Sequence, residues 1–308
     1  MRHHLISLAA VFLALAVGIV LGSSSLSERL LSHVGNERDS LSKQVDDLST
    51  RNAALQARVD GSERFSAATA PLAVRDELAG RGVVVISSWD VAPEDRDGAR
   101  RMIESAGGKV TGDVRLTEAV ADPDRADQLR RIVTRLLPAG AQLPTATDAG
   151  TLTGGLLGPL AMSDNAGRSQ VGPPERAAAL SGLSEGGFAT SAGELQPAPL
   201  ALVLTGGQLH GEGAGSRASV LARLATQLDR SGAGAVLAGR TGSAEGAGPV
   251  GVARADGSIA SGLSTVDDLE SPQGRAAVVF ALREQLDHRA GHYGTAGNAD
   301  GVVPEIAN

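Results

Sequence analysis

The sequence predicts an α/β fold: a mainly parallel, Rossmann- or flavodoxin-like sheet with helices on both faces, set behind a transmembrane helix and a coiled-coil stalk. Three observations carry that expectation. Leu5–Gly22 is an uncharged apolar run. A heptad pattern follows from Leu31 to Val59. Beyond it, short β-branched runs alternate with helix-length segments, as parallel strands joined by helices require.

The apolar run comes first. At about 1.5 Å per residue it spans roughly 27 Å, near the lower limit for crossing the hydrocarbon core. It is longer than the ~7–15 apolar residues of a cleaved leader. A retained anchor over residues 1–25 is therefore expected, with cleavage near Gly22-Ser23-Ser24 as the alternative. Arg2 precedes the run and the first acidic residue, Glu28, follows it. That asymmetry keeps the N-terminus cytoplasmic and places the main domain outside. Ala10, Ala14, Gly18 and Gly22 recur every fourth residue, and small residues on one face let two helices approach closely. His3 and His4 sit beside the span, where imidazoles can take a divalent ion.

The stalk is expected over residues 26–66. Leu31, Arg38, Val45, Asn52 and Val59 fall at a; Val34, Leu41, Leu48 and Leu55 fall at d. Val at a with Leu at d favours a parallel pair, and Asn52 at a fixes register. The alternative is one amphipathic helix packed on its own domain. A GxxxG crossing is right-handed and a heptad coil left-handed, so the two signals cannot share one continuous seam. Ser23–Ser25 is the expected joint. The predicted pairing residues are Gly18, Gly22, Leu41, Val45, Leu48, Asn52, Leu55 and Val59.

The main domain is expected over residues 71–292. Val83–Ile86 reads as a strand, Pro93–Ala106 as a helix ended by Gly107-Gly108, and Lys109–Leu116 as a second strand. Ala126–Leu137 is helical. A Pro/Gly/Thr connector covers residues 138–150. Leu152–Met162 and Pro174–Leu183 are shorter helices, and Ala201–Leu204 is a buried strand. Ser216–Leu228 is a helix, Ala235–Leu237 and Val250–Ala253 are strands, and Gln273–Arg289 is the last helix. Residues 293–308 lack apolar periodicity and read as a solvent-exposed tail.

Composition narrows the chemistry. The hydrophobic share of 42% supports a core, but aromatics at 2% leave it to Ala, Val and Leu. The net charge of −7 argues against nucleic acid as a partner. Cysteine is absent, which removes disulfides, thiolate catalysis and thiolate metal sites. The Gly-rich turn after Leu204 lacks both GxGxxG and Walker spacing. Ligands in such sheets sit at the carboxyl ends of strands, so Thr205, Gly206, Arg240 and Thr241 are crevice candidates, with the paired carboxylates Asp267 and Asp268. His288 and His292 are four apart and can share a metal if the last helix reaches them. No nucleophile–base pair can be assigned, so the expectation is a non-enzyme.

Several stretches, in order, carry a family resemblance: HLISLAAVFLALAVGIVLGSS, the heptads, Pro138-Ala139-Gly140, Thr205-Gly206-Gly207, Leu237-Ala238-Gly239-Arg240, Ser264-Thr265-Val266-Asp267-Asp268 and Gly291-His292-Tyr293-Gly294. Together they resemble the actinobacterial copper transporter family. The resemblance implies a cell-envelope protein of copper efflux and resistance, described in the outer membrane, with copper as the metal handled. It also implies a link to daughter-cell separation through an envelope protein partner. One anchor per chain does not enclose a channel. The expected protein is therefore a single-anchored homodimer in copper transport and not a self-contained pore. The alternative is a non-catalytic scaffold or regulator of cell-wall remodelling.

Overall fold

A computed structural model describes residues 2–138, 140–145, 148–164 and 167–304, with side chains for all of these except 2, 22–37 and 39. Ala139 of the expected turn at 138–140 thus lies outside the described residues, as do the surroundings of Gly22. Two compact units divide the chain, Met1–Ser62 and Glu63–Asn308.

The first unit is helical. Helix α1 runs from Arg2 to Ala73. It continues through Ser23–Ser25, so the joint expected there is absent. Among the described residues, His3–Leu21 is the one helical segment long and apolar enough to cross a membrane. The heptad residues Leu41, Val45, Leu48, Leu55 and Val59 are all exposed, Leu48 by 64%.

The second unit is built on a sheet of seven strands, ordered β3-β2-β1-β4-β5-β6-β7. These are β1 (Gly82–Ser87), β2 (Lys109–Leu116), β3 (Ala189–Ser191), β4 (Leu200–Leu204), β5 (Gly234–Ala238), β6 (Ser264–Val266) and β7 (His292–Tyr293). All neighbours run parallel except β2 and β3. Among the described residues, seven α-helices lie between β1 and β6: α2 (Pro93–Ser105), α3 (Ala126–Leu136), α4 (Ala149–Ala161), α5 (Pro173–Glu185), α6 (Ala214–Ser231), α7 (Pro249–Ala255) and α8 (Gly257–Ala260). Helix α9 (Pro272–Gln285) precedes β7.

Strand side chains alternate between two cores, one on each face. Val84, Ile86, Ala201, Val203, Ala235 and Leu237 join residues of α3–α7. Val83, Val85, Leu200, Leu202, Val236 and Ala238 join residues of α2 and α9, together with Ala70 and Val74. With so few aromatics, the first core is closed by near backbone contact. Gly150, Gly154 and Gly158 line the side of α4 that faces α6. A Cβ at Gly150 would overlap the Val220 carbonyl, and one at Gly154 would lie 2.9 Å from the Leu224 carbonyl oxygen.

Two expectations are corrected. Val250–Ala253 is helical, inside α7, because Pro249 opens a helix after Gly248. Val250 and Ala253, three apart, are buried on one face, a spacing that a four-residue apolar run does not separate from a strand. The strand paired to β5 is instead Ser264–Val266. Residues 293–301 are not a free tail. Tyr293 pairs with Val266, and the Gly294 amide donates to the Gly301 carbonyl at 2.9 Å.

Candidate functional site

The chain leaves β1 for β2 on one side of the sheet and later returns to β4 on the other. The expected crevice at the carboxyl ends of the strands therefore lies between the loops after β1 and β4, which close on each other there. Thr205 and Gly206 follow β4; Arg240 and Thr241 follow β5; Asp267 and Asp268 follow β6. Each strand ends there because its last residue hands over to a polar or glycine turn.

The chain's own charges occupy this crevice. Asp90, after β1, accepts a hydrogen bond from the Ser88 hydroxyl. A Cβ on Gly206 would lie 2.5 Å from the Asp90 carboxylate, so Asp90 stands where the Gly turn approaches most closely. From the start of α2, the buried Asp95 meets Arg240 at 2.8 Å and Arg275 at 3.6 Å. Burial raises the Asp95 carboxyl above its ordinary value, while the two guanidinium groups pull it down. The Thr241 amide donates to Glu270 at 3.2 Å, and Arg275 donates to the Glu270 carbonyl at 3.0 Å. Beneath this lid the hydroxyls of Ser87, Thr205 and Ser243 are buried without a hydrogen-bond partner. Asp90 at the glycine turn opposes an anion there, and the ion pairs satisfy much of the remaining charge.

The two adjacent carboxylates separate. Asp267 pairs with Arg254 at 2.7 Å, with side chains 2% and 3% exposed respectively. Its other oxygen accepts the amides of Thr295 and Ala296 at 2.8 and 3.1 Å. Asp268 accepts from the Ser271 hydroxyl at 2.9 Å, and that hydroxyl caps α9 by accepting the Gly274 amide. Burial pushes the Asp268 carboxyl up to about 6. The pair thus serves two structural ends and does not converge on a cation.

The histidine pair is corrected as well. Helix α9 ends at Gln285 and His288 takes a left-handed backbone, φ 54°, so no helix face carries both rings. His292 Nδ1 lies 3.0 Å from the Thr265 hydroxyl, and burial lowers its pKa. Among the described residues, no group of three or more His, Cys, Asp or Glu can hold a metal.

Sequence reasoning missed Asp90, Asp95, Arg254 and Glu270. Apart from Ser88 beside Asp90, their partners lie on other elements, and no local pattern marks such pairs. Asp95 carried one faint signal, an acid in the first turn of a predicted helix beside the sheet's carboxyl edge.

Comparison with known proteins fixes the family. The family model described as "Copper transport outer membrane protein, MctB" matches residues 1–304. The "Copper transporter MctB" of Mycobacterium tuberculosis (strain ATCC 25618 / H37Rv) is 38% identical over 310 residues, covering 98% of each chain. That of Mycobacterium leprae (strain TN) is 39% identical over 311 residues, covering 98% of this chain and 97% of the relative. With the apolar helix at His3–Leu21, which fits membrane anchoring, and a sequence that matches the family model over residues 1–304, the chain belongs to the MctB family.

Proposed function

We propose that this protein takes part in copper transport in the cell envelope as a single-anchored, paired protein, with copper as its substrate. The observation that carries this reading is the full-length match to proteins named copper transporters. The exposed Leu and Val heptads support a parallel coiled-coil stalk. The strand order, with its turning point between β1 and β4, supports a Rossmann-like domain.

The mechanism is not that of a self-contained pore. A spanning barrel needs roughly nine to eleven alternating residues per strand and a lipid-facing surface. The strands here have two to eight residues, and helix residues join both faces of the sheet in its cores. The folded domain also does not fit copper as a cargo site. Thiolates are absent. Met102 and Met162 lie buried in opposite cores, so their thioethers cannot share an ion.

Deleting the gene tests the reading. Copper accumulation and copper sensitivity, both reversed by the full-length chain, are expected; unchanged copper content would overturn it. The second reading is a scaffold for an envelope partner in cell separation. It is favoured by the crevice filled with its own ion pairs. It predicts a septation defect in the same strain at ordinary copper levels.

A further inference from the structure

Arg176, in the first turns of α5, is a cation 5% exposed. Its Nε donates to the Leu160 carbonyl at 2.8 Å. Its Nη2 donates to the Val171 carbonyl at 2.6 Å and to the Ser169 hydroxyl at 3.2 Å. Nη1 makes no hydrogen bond among the described residues. Nor does the guanidinium form an ion pair among them; only the exposed Glu194 acts on it, from longer range. Leu160 lies in the last turn of α4, whose partial negative charge offsets some of the desolvation. Burial still pulls the Arg176 pKa down, as it does for a cation short of negative partners. A carboxylate brought to this group would complete a pair that the fold leaves open.

Arg176 lines a cavity of about 260 Å³, with Ala177 and Leu180 of α5 on one side and Ser191, Glu194 and Leu195 on the other. Clefts that take whole small molecules measure roughly 300–1,000 Å³, so this one suits a single apolar side chain with a carboxylate beside it. The cavity adjoins a free strand edge, because β3 ends the sheet. Ala189, Thr190 and Ser191 pair with Leu116, Arg115 and Val114. The Ala192 amide donates to the Asp113 carbonyl at 3.1 Å, and the Thr117 amide to the Phe188 carbonyl at 2.9 Å. Bonded and unbonded pairs alternate along an antiparallel ladder. Ala189 and Ser191 therefore turn their amides and carbonyls away from β2, where they meet no partner among the described residues. Such an edge accepts an added strand through main-chain bonds, and a pocket beside it reads the side chain.

We propose that this edge binds the carboxyl-terminal segment of a partner protein, which lies beside β3, fills the cavity with its last side chain and pairs its terminal carboxylate with Arg176. The segment runs parallel to β3, since the cavity lies at that strand's end. The planar guanidinium matches the two oxygens of a carboxylate. The apolar walls of Ala177, Leu180 and Leu195 favour an aliphatic last residue. Glu194 opposes the incoming charge and limits affinity. The site needs no metal and no second copy, so it stands or falls apart from the copper reading.

The test uses the full-length protein in neutral detergent micelles and the fluorescein-labelled peptide Thr-Thr-Val-Thr-Val, with binding read by anisotropy. The free-acid peptide is expected to bind, and its amidated form to bind about tenfold or more weakly, as loss of a charge-assisted bond requires. A177W, on an exposed position of α5, fills the cavity and is expected to abolish binding at an unchanged melting temperature. S191P removes an edge amide that β2 does not use and is expected to weaken binding about threefold to tenfold. E194Q is expected to tighten it by removing a like charge. Free isovalerate, which has the end group without the backbone, is expected to compete only at far higher concentration. No binding by the unaltered chain, equal binding of acid and amide, weaker binding by E194Q, or undiminished binding by A177W would each overturn the site. Isovalerate competing as well as the peptide, or S191P binding as the unaltered chain does, would overturn the added strand and with it the peptide partner.

Discussion

Arg254 joins three parts of the chain at once. Its guanidinium reaches the Thr265 hydroxyl at 2.9 Å, Asp267 at 2.7 Å, Asn298 Oδ1 at 2.8 Å and the Tyr293 carbonyl at 2.8 Å. Asn298 in turn donates to the Ala244 carbonyl at 3.0 Å. This network explains why residues past Tyr293 are held although they bury little apolar surface. Arg254→Met would leave Asp267 buried with only two amide donors. Breaking a buried ion pair costs about 3–5 kcal/mol. Hydrogen exchange is expected to show loss of protection first at residues 293–301, before any change in β1 or β4. Equal protection in both regions would show that the network is not what holds this segment. A second residue-scale effect concerns Asp229, which burial raises to about 6 and whose carboxylate accepts the Ala235 amide at 3.0 Å. Its folded value lies above the unfolded one, so the native state binds the extra proton between about pH 4 and pH 6. Stability from this group therefore falls as pH rises through that window and stays low above it. Asp229→Asn keeps the acceptor and removes the charge. It is expected to stabilise the protein by about 1–2 kcal/mol at pH 7.5 and hardly at pH 4. Denaturant midpoints at the two pH values check the sign; equal gains at both would refute it.

At the scale of elements, legibility followed locality. β1, β4 and β5 are buried on both faces and read as continuous apolar runs. Helix α2 announces itself by Pro93 and the acids of its first turn. β6 escaped because Ser264 and Thr265 look like loop residues. They are tolerated inside because Gln285 donates to Ser264 at 2.8 Å and Arg254 to Thr265. β7, two residues long, has no period to read. In the crevice, Thr205, Gly206 and Arg240 could be placed at strand ends from topology alone. What fills it could not, because Asp90 and Asp95 meet Gly206, Arg240 and Arg275 across more than a hundred positions. The packing of α4 on α6 yields a prediction of its own. Gly154→Val would drive a side chain into Gln227 and the Leu224 carbonyl. Overpacking of this kind costs about 1–3 kcal/mol, which lowers the melting temperature by roughly 2–12 °C in a domain of this size. An unchanged melting temperature would mean that α4 can shift outward at no cost.

For the whole molecule the question is how an uninterrupted helix with an exposed apolar face is completed. Anchoring at one end imposes a direction: two copies in one membrane emerge side by side, so their helices run parallel. Parallel heptads bring each a residue against its own counterpart, whereas antiparallel pairing matches it with a different layer. The natural chain has no cysteine, so a single introduced thiol reports this without interference. Val45→Cys lies at a, and a–a′ neighbours come within the roughly 4.4–6.8 Å Cα separation that a disulfide accepts. Thr50→Cys lies at f, on the outside of both helices, where no register closes the gap. Mild oxidation in membranes is expected to convert most of the Val45→Cys protein to a covalent dimer and to leave Thr50→Cys monomeric. Equal cross-linking at the two positions would indicate random collision, and none at Val45 would remove the paired stalk.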